Sequence, residues 1–158
     1  PPSMNSPTAV TAALRWGFVA AVARQARCIT CVSTHFESWP LDDAQLLQSL
    51  TGWLRLPQRR LLLLSADFGR LGLALPRFEQ WRRSWVHAVP AWRCPADMVA
   101  QLPEALFDER TISVQVFDAE TGRGRASDQP RHALLLAQQT DVVLQRSEAA
   151  WPAKTLGL

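Results

Sequence analysis

The sequence predicts an α/β fold, a three-layer α-β-α sandwich around a mixed, mainly parallel sheet. Three observations predict it. Segments with helical periodicity alternate with short β-rich runs, and such alternation favours parallel strands covered on both sides by helices. The run Arg60 to Ala66, RLLLLSA, is continuously apolar, as in a central strand buried on both faces. Farther on, Ile112, Val114 and Val116 alternate with Thr111, Ser113 and Gln115, the period of a strand with one exposed face.

In chain order, Pro1 to Asn5 read as a disordered tail, and Ser6-Pro7 as an N-cap with proline at the first helical position. The first helix runs to about Arg27, with Val10, Leu14, Phe18 and Val22 at helical spacing. Cys28 to His35 is a β-rich run. Leu41-Asp42-Asp43 opens a second helix to about Leu54, its first-turn acids suiting the positive end of the helix dipole. Pro57 ends it. Asp67-Phe68-Gly69 is a loop. Pro76 starts a helix to about Val86, with Trp81 and Trp85 read as core. Ala88 to Arg93 is a third strand and Asp97 to Leu102 one helical turn. Ala105 to Asp108 and Thr111 to Asp118 are strands, Thr121 to Pro130 a polar loop, and Arg131 to Ala149 the closing helix. There is no internal repeat, so residues 7–158 are read as one domain after a tail of residues 1–6.

The 158 residues are 47% hydrophobic and 20% charged, a globular composition long enough to bury a core without staples. The net charge of +3 is almost all arginine, since Lys154 is the one lysine. An Ala-, Leu- and Arg-rich chain poor in lysine suggests a GC-rich bacterial genome. Three cysteines, an odd number in a chain that needs no bridges, fit a reduced, cytoplasmic setting. The apolar stretch Val10 to Ala23 is interrupted by Arg15 and is shorter than the ~20 residues of a membrane span.

Candidate chemistry is sparse. Cys28-Ile29-Thr30-Cys31 has redox-motif spacing but lies on a strand, where residues three apart face opposite ways. The cysteines are read as structural. His35, His87 and His132 form no metal spacing, and there is no nucleotide-binding motif, so neither metal nor cofactor is implied. Ligands of open α/β sheets bind beyond the carboxyl ends of the strands. His35 ends the first strand, Ser65 and Asp67 the second and Arg93 the third. With Arg70, these make the candidate ligand site. Residues 55 to 93 also hold eight arginines (Arg55, Arg59, Arg60, Arg70, Arg77, Arg82, Arg83, Arg93) interleaved with Trp81, Trp85 and Trp92. Guanidinium and aromatic groups together suit nucleic acid, provided the arginines share one face.

Four segments, CITCVSTH, RLLLLSADF, FEQWRRSWVHAVPAWR and EALFDERTISVQVFDAE before a closing helix, resemble in pattern and order one half of a phospholipase D-like unit. The ending with Val142-Val143-Leu144, Arg146-Ser147-Glu148 and Trp151-Pro152 is similar to small bacterial domains of that kind. The family's motif is H-x-K-x4-D followed by x6-G-S-x-x-N. With its aspartate on Asp108, Gln101 falls at the nucleophilic histidine and Pro103 at the lysine. Gln115-Val116 falls at Gly-Ser and Ala119 at the asparagine. Without an imidazole there is no covalent step, and without the cation the phosphate charge is unstabilised.

The resemblance therefore implies a degenerate, non-catalytic binding or assembly domain. Active relatives pair two halves, which implies a homodimer or a neighbouring domain as partner, and a phosphate-containing ligand for the candidate site. The other expectations are a phosphodiester-cleaving enzyme using His35 or His132 with Asp67, and a nucleic-acid binder using the 55–93 region.

Overall fold

The computed structural model describes residues 1–151. The expected continuation of the domain to Leu158 lies outside the described residues. The first helix, α1, spans Pro7–Ala23. It starts where expected: the Ser6 hydroxyl accepts from Ala9 N at 3.2 Å, satisfying one of the free first-turn N–H groups. It leads into β1, Cys28–Ser33. A single 3₁₀ turn at Pro40–Asp42 comes before α2, Ala44–Leu54, so the helix expected from Leu41 starts later. Asp43 sets that start by accepting from Leu46 N at 3.1 Å, and it pairs with Arg15 of α1.

Strand β2 is Arg60–Ser65, buried from Leu61 onward. The short helix α3, Leu71–Ala74, precedes α4, Pro76–Arg83, and β3, Ala91–Arg93. Trp81 and Trp85 are half-buried against the core rather than inside it. Then come a 3₁₀ segment at Ala96–Gln101, β4 (Glu104–Asp108), β5 (Ser113–Asp118), β6 (Arg123–Ser127), α5 (Pro130–Leu144) and β7 (Glu148–Trp151). Strand β6 lies in the segment expected to be a loop. Strand β7 begins where the closing helix was expected to continue.

The seven strands are ordered β6-β5-β4-β1-β2-β3-β7. The sheet is mixed, as expected, but not mainly parallel. Only β1–β2 and β2–β3 are parallel; the other neighbours are antiparallel. Parallel neighbours need a long crossover. Here α2 provides one and α3 with α4 the other. Strands β4, β5 and β6 follow one another through tight turns and can only run antiparallel.

Successive residues of the central strands enter different apolar clusters. Ile29, Cys31, Leu61 and Leu63 pack with Leu14 and Phe18 of α1, Leu50 of α2 and Phe78 of α4. Val32, Leu64, Ala105 and Phe107 pack with Met98 and with Ala133, Leu136 and Val143 of α5. Cys31 is fully buried, and burial pushes its thiol well above its ordinary pKa, so it stays protonated. All three cysteines are free. No helix among the described residues is long and apolar enough to cross a membrane.

The N-terminal segment is a correction to the expected tail. Met4 is buried in the larger cluster, and Asn5 bridges to Arg123 of β6. The β5–β6 turn makes room for it with Gly122, at φ +76°, where a Cβ would collide with the Ser6 backbone. Gly122→Ala is therefore expected to destabilise the fold by more than ~1 kcal/mol. Urea denaturation followed by circular dichroism checks this.

At the β4–β5 turn, Glu109 accepts from the backbone N–H groups of Arg27 (3.0 Å) and Cys28 (3.2 Å), which open β1. Partial burial pushes its pKa up. These backbone bonds, with help from Arg110, outweigh that and hold the carboxyl below its ordinary value. A lowered acid pKa stabilises the fold above the unfolded value of about 4.3. That contribution disappears as pH falls through the lower native value. Glu109→Ala is expected to cost about 1 kcal/mol at neutral pH, discounted for exposure. The difference from the parent protein should vanish in strong acid, as urea titrations at the two pH values would show.

Candidate functional site

The carboxyl ends of β2 and β3 lie side by side, with Ser65 paired to Arg93. Antiparallel β7 adds Trp151 at the far edge. A cleft of about 570 Å³ opens there, between the loop after β2, helix α4 and β7. Its apolar wall is Trp151, edge-on to Phe68 with ring centroids 4.7 Å apart. The Arg82 guanidinium lies over the Trp151 ring, 4.0 Å from its centroid, in cation–π geometry.

Glu79 positions that guanidinium. Its two oxygens accept from Arg82 Nη2 at 2.8 Å and Nε at 3.2 Å. The residues are three apart on α4, the spacing at which helix side chains meet. Arg83 Nε reaches the same carboxylate at 3.3 Å, and Arg93 pairs with Glu148 at 2.6 Å. Each arginine of the cleft thus has an acid beside it.

Of the five residues expected at a ligand site, the cleft brings together two, Asp67 and Arg93. Asp67 turns its Oδ1 inward on its own loop, accepting from Gly69 N at 2.7 Å. Ser65 is fully buried behind the loop. Its hydroxyl donates to the Thr34 carbonyl at 2.7 Å and accepts from Asp67 N at 3.2 Å, so it ties the β1 and β2 loops together. His35 and Arg70 meet at Glu37 instead, at 3.9 Å and 3.5 Å, and do not line the cleft. The β1 loop is held open by Phe36, fully buried at φ +62°, a strained conformation for a bulky residue. Ser33 Oγ accepts from Phe36 N at 3.0 Å and donates to Glu104 at 2.9 Å. This network fixes the turn that presents His35.

The residues that sequence reasoning missed are Glu79, Arg82 and Trp151. The Glu79/Arg82 spacing was visible as a helical ion pair. Trp151 had no signal, because its strand was hidden behind a segment read as helix.

The arginines of residues 55–93 do not share one face. Strand β2 carries Arg60 at its amino end, while Arg82, Arg83 and Arg93 surround the cleft at its carboxyl end. His132 shares a 2.6 Å hydrogen bond with Ser127 Oγ. Burial, then Arg125 and Arg131, push its pKa down, which favours the neutral imidazole. Among the described residues, no three His, Cys, Asp or Glu side chains converge as metal ligands. Comparison with known proteins finds no family model, curated protein or solved structure that matches the chain.

The lining of the cleft contains no imidazole, thiol, hydroxyl or amine; its charged side chains are the carboxylates of Asp67 and Glu79 and the guanidinium groups of Arg82, Arg83 and Arg93. Arg82→Ala is expected to cost about 2 kcal/mol, through the lost stacking on Trp151 and the two hydrogen bonds lost by the mostly buried Glu79, which keeps only Arg83. Arg82→Lys should recover only part of that, since an ammonium lacks the planar fork. Thermal and urea denaturation of both variants measure the difference.

Proposed function

We propose that the chain is a non-catalytic binding or assembly domain of a bacterial protein. In this reading it is a three-layer α-β-α unit equivalent to one half of a phospholipase D-like fold, with the catalytic groups gone. The two apolar clusters on alternate strand residues support the layered arrangement. The pairing of Glu104 with Val116 brings the start of β4 to the end of β5, where most of the motif positions gather.

One observation carries the non-catalytic reading. The cavity of about 130 Å³ at that place is lined by Glu104, Val116 and Ala119 with Ser38 and residues of α1, and by no imidazole or cation. Glu104 is already engaged, accepting from Trp39 Nε1 at 2.7 Å as well as from Ser33. Asp108, the one acid kept from the motif, lies at the other end of β4. Its Oδ1 accepts from the backbone of Arg110, Thr111 and Ile112 at 2.8–3.0 Å, which is a turn-forming role.

Relocated chemistry has no such support. His35 lies 3.9 Å from Glu37, which does not line the cleft beyond β2 and β3, and the partner of His132 is a serine. The assembly side of the reading rests on α5. Its outer surface exposes Leu134, Leu135 and Val142, each more than half accessible, an apolar face for a second copy or a neighbouring domain.

The test is turnover of bis(p-nitrophenyl) phosphate by purified protein. The expected result is no hydrolysis above the buffer rate, with His35→Ala and His132→Ala indistinguishable from the parent. Hydrolysis that disappears in either variant would overturn the reading.

A further inference from the structure

The opposite edge of the sheet carries a different charge pattern from the cleft. The registers Cys28↔Arg60 and Ile29↔Asp108 bring the amino ends of β1 and β2 beside the β4–β5 turn. Six arginines from separate parts of the sequence arrive there: Arg24, Arg27, Arg59, Arg60, Arg110 and Arg131. Contacts link Arg60 to Arg27, and Arg110 to Arg24. Arg60 N donates to the Arg27 carbonyl at 2.9 Å, and Arg27 Nη1 to Gln58 Oε1 at 3.4 Å. Arg110 Nη1 donates to the Arg24 carbonyl at 3.3 Å. Arg110 and Arg131 line one cleft of about 300 Å³ with Asp108 and Glu109 of the β4–β5 turn and with Ala133, Leu134 and Ala137 of α5.

The acids at this edge are fewer than the arginines. Glu109 accepts from two backbone N–H groups and pairs with Arg110 at 3.6 Å, and Asp108 is buried in its turn. Asp128 reaches only Arg24, at 3.8 Å. Among the described residues, Arg27, Arg59, Arg60 and Arg131 make no ion pair. Arg82, Arg83 and Arg93, at the other end of the strands, each make one. Unpaired guanidinium forks on a solvent edge suit phosphate oxygens, which they grip in a bidentate way.

We propose that this edge binds the sugar–phosphate backbone of single-stranded nucleic acid. Three adjacent strands span roughly 10 Å, so the row meets successive phosphates rather than one. The cleft beside Arg110 and Arg131 is large enough for an unpaired base against the apolar surface of α5. A lipid surface calls for a broad apolar face beside the cations; of the exposed α5 residues Leu134, Leu135 and Val142, Leu134 alone lines the cleft with Arg110 and Arg131. The contacts are to phosphate, so binding is independent of base sequence. None of this rests on the phospholipase D-like reading, and phosphodiester turnover has no bearing on it.

The experiment is fluorescence anisotropy of a fluorescein-labelled oligothymidine titrated with the full chain over a range of salt concentrations. Affinity is expected to fall steeply with salt. The variant R27Q/R60Q/R110Q should bind at least tenfold more weakly at low salt. Its log–log salt slope should be shallower by about 2, from ~0.7 for each lost phosphate contact. The charge-matched control R70Q/R77Q/R146Q should stay within twofold of the parent. Circular dichroism verifies folding. Should the triple variant unfold, R60Q and R110Q singly should each flatten the slope by ~0.7. Three results would overturn the proposal: no binding at low salt, equal weakening in the edge and control variants, or capture by phosphatidylserine vesicles without capture of the oligonucleotide.

Discussion

The constraint on which the rest depends is the burial of β1 and β2 on both faces. Leu61, Leu63 and Leu64 are fully buried, and so are Ile29, Cys31 and Val32. Adjacent residues of each strand point to opposite sides, so apolar material has to lie on both. Helices α1, α2 and α4 take one cluster and α5 the other. Because the two strands run parallel, their amino ends share one edge and their carboxyl ends the other. Arg82, Arg83 and Arg93 fall on one side of that division and Arg27 and Arg60 on the other.

The same division explains what was legible in the sequence. RLLLLS is readable because an uninterrupted apolar run has few other uses. The start of α1 is readable because Ser6-Pro7 is both a cap and a constraint on φ. Strand β6, RGRAS, is not, because it is a partly exposed strand at the end of the sheet, paired with β5 and bridged only at Asn5, and its arginine and glycine carry no apolar alternation. Strand β7, EAAW, is not, because glutamate and alanine favour helix and only pairing with β3 makes them extended. These two omissions also produced the overestimate of parallel pairing, since both unseen strands are antiparallel to their neighbours.

Site legibility follows a related line. Asp67 and Arg93 were found because the rule about carboxyl ends uses only strand position. His35 satisfies the same rule and still misses the cleft, because the Ser33–Glu104 network and the turn at Phe36 set where its loop goes. The rest of the cleft depends on tertiary pairing. Arg82 meets Trp151 across 69 positions of sequence, and no local pattern announces that contact.

Arginine shows most clearly why sequence proximity is a poor guide to a charged surface. The eight arginines of residues 55–93 look like one basic segment, yet a six-residue strand separates Arg60 from the loop after Ser65. At ~3.3 Å per residue, that places the two groups nearly 20 Å apart along the sheet. Their environments then differ in kind. Arg82 and Arg93 are matched by Glu79 and Glu148, and a guanidinium so matched adds to local structure more than to attraction of an outside anion. The guanidinium groups of Arg27 and Arg60 make no ion pair and stand where β1 and β2 begin, so their charge is available to solvent and to anything anionic in it. What decides whether an arginine serves the fold or a partner is therefore the acid next to it in space.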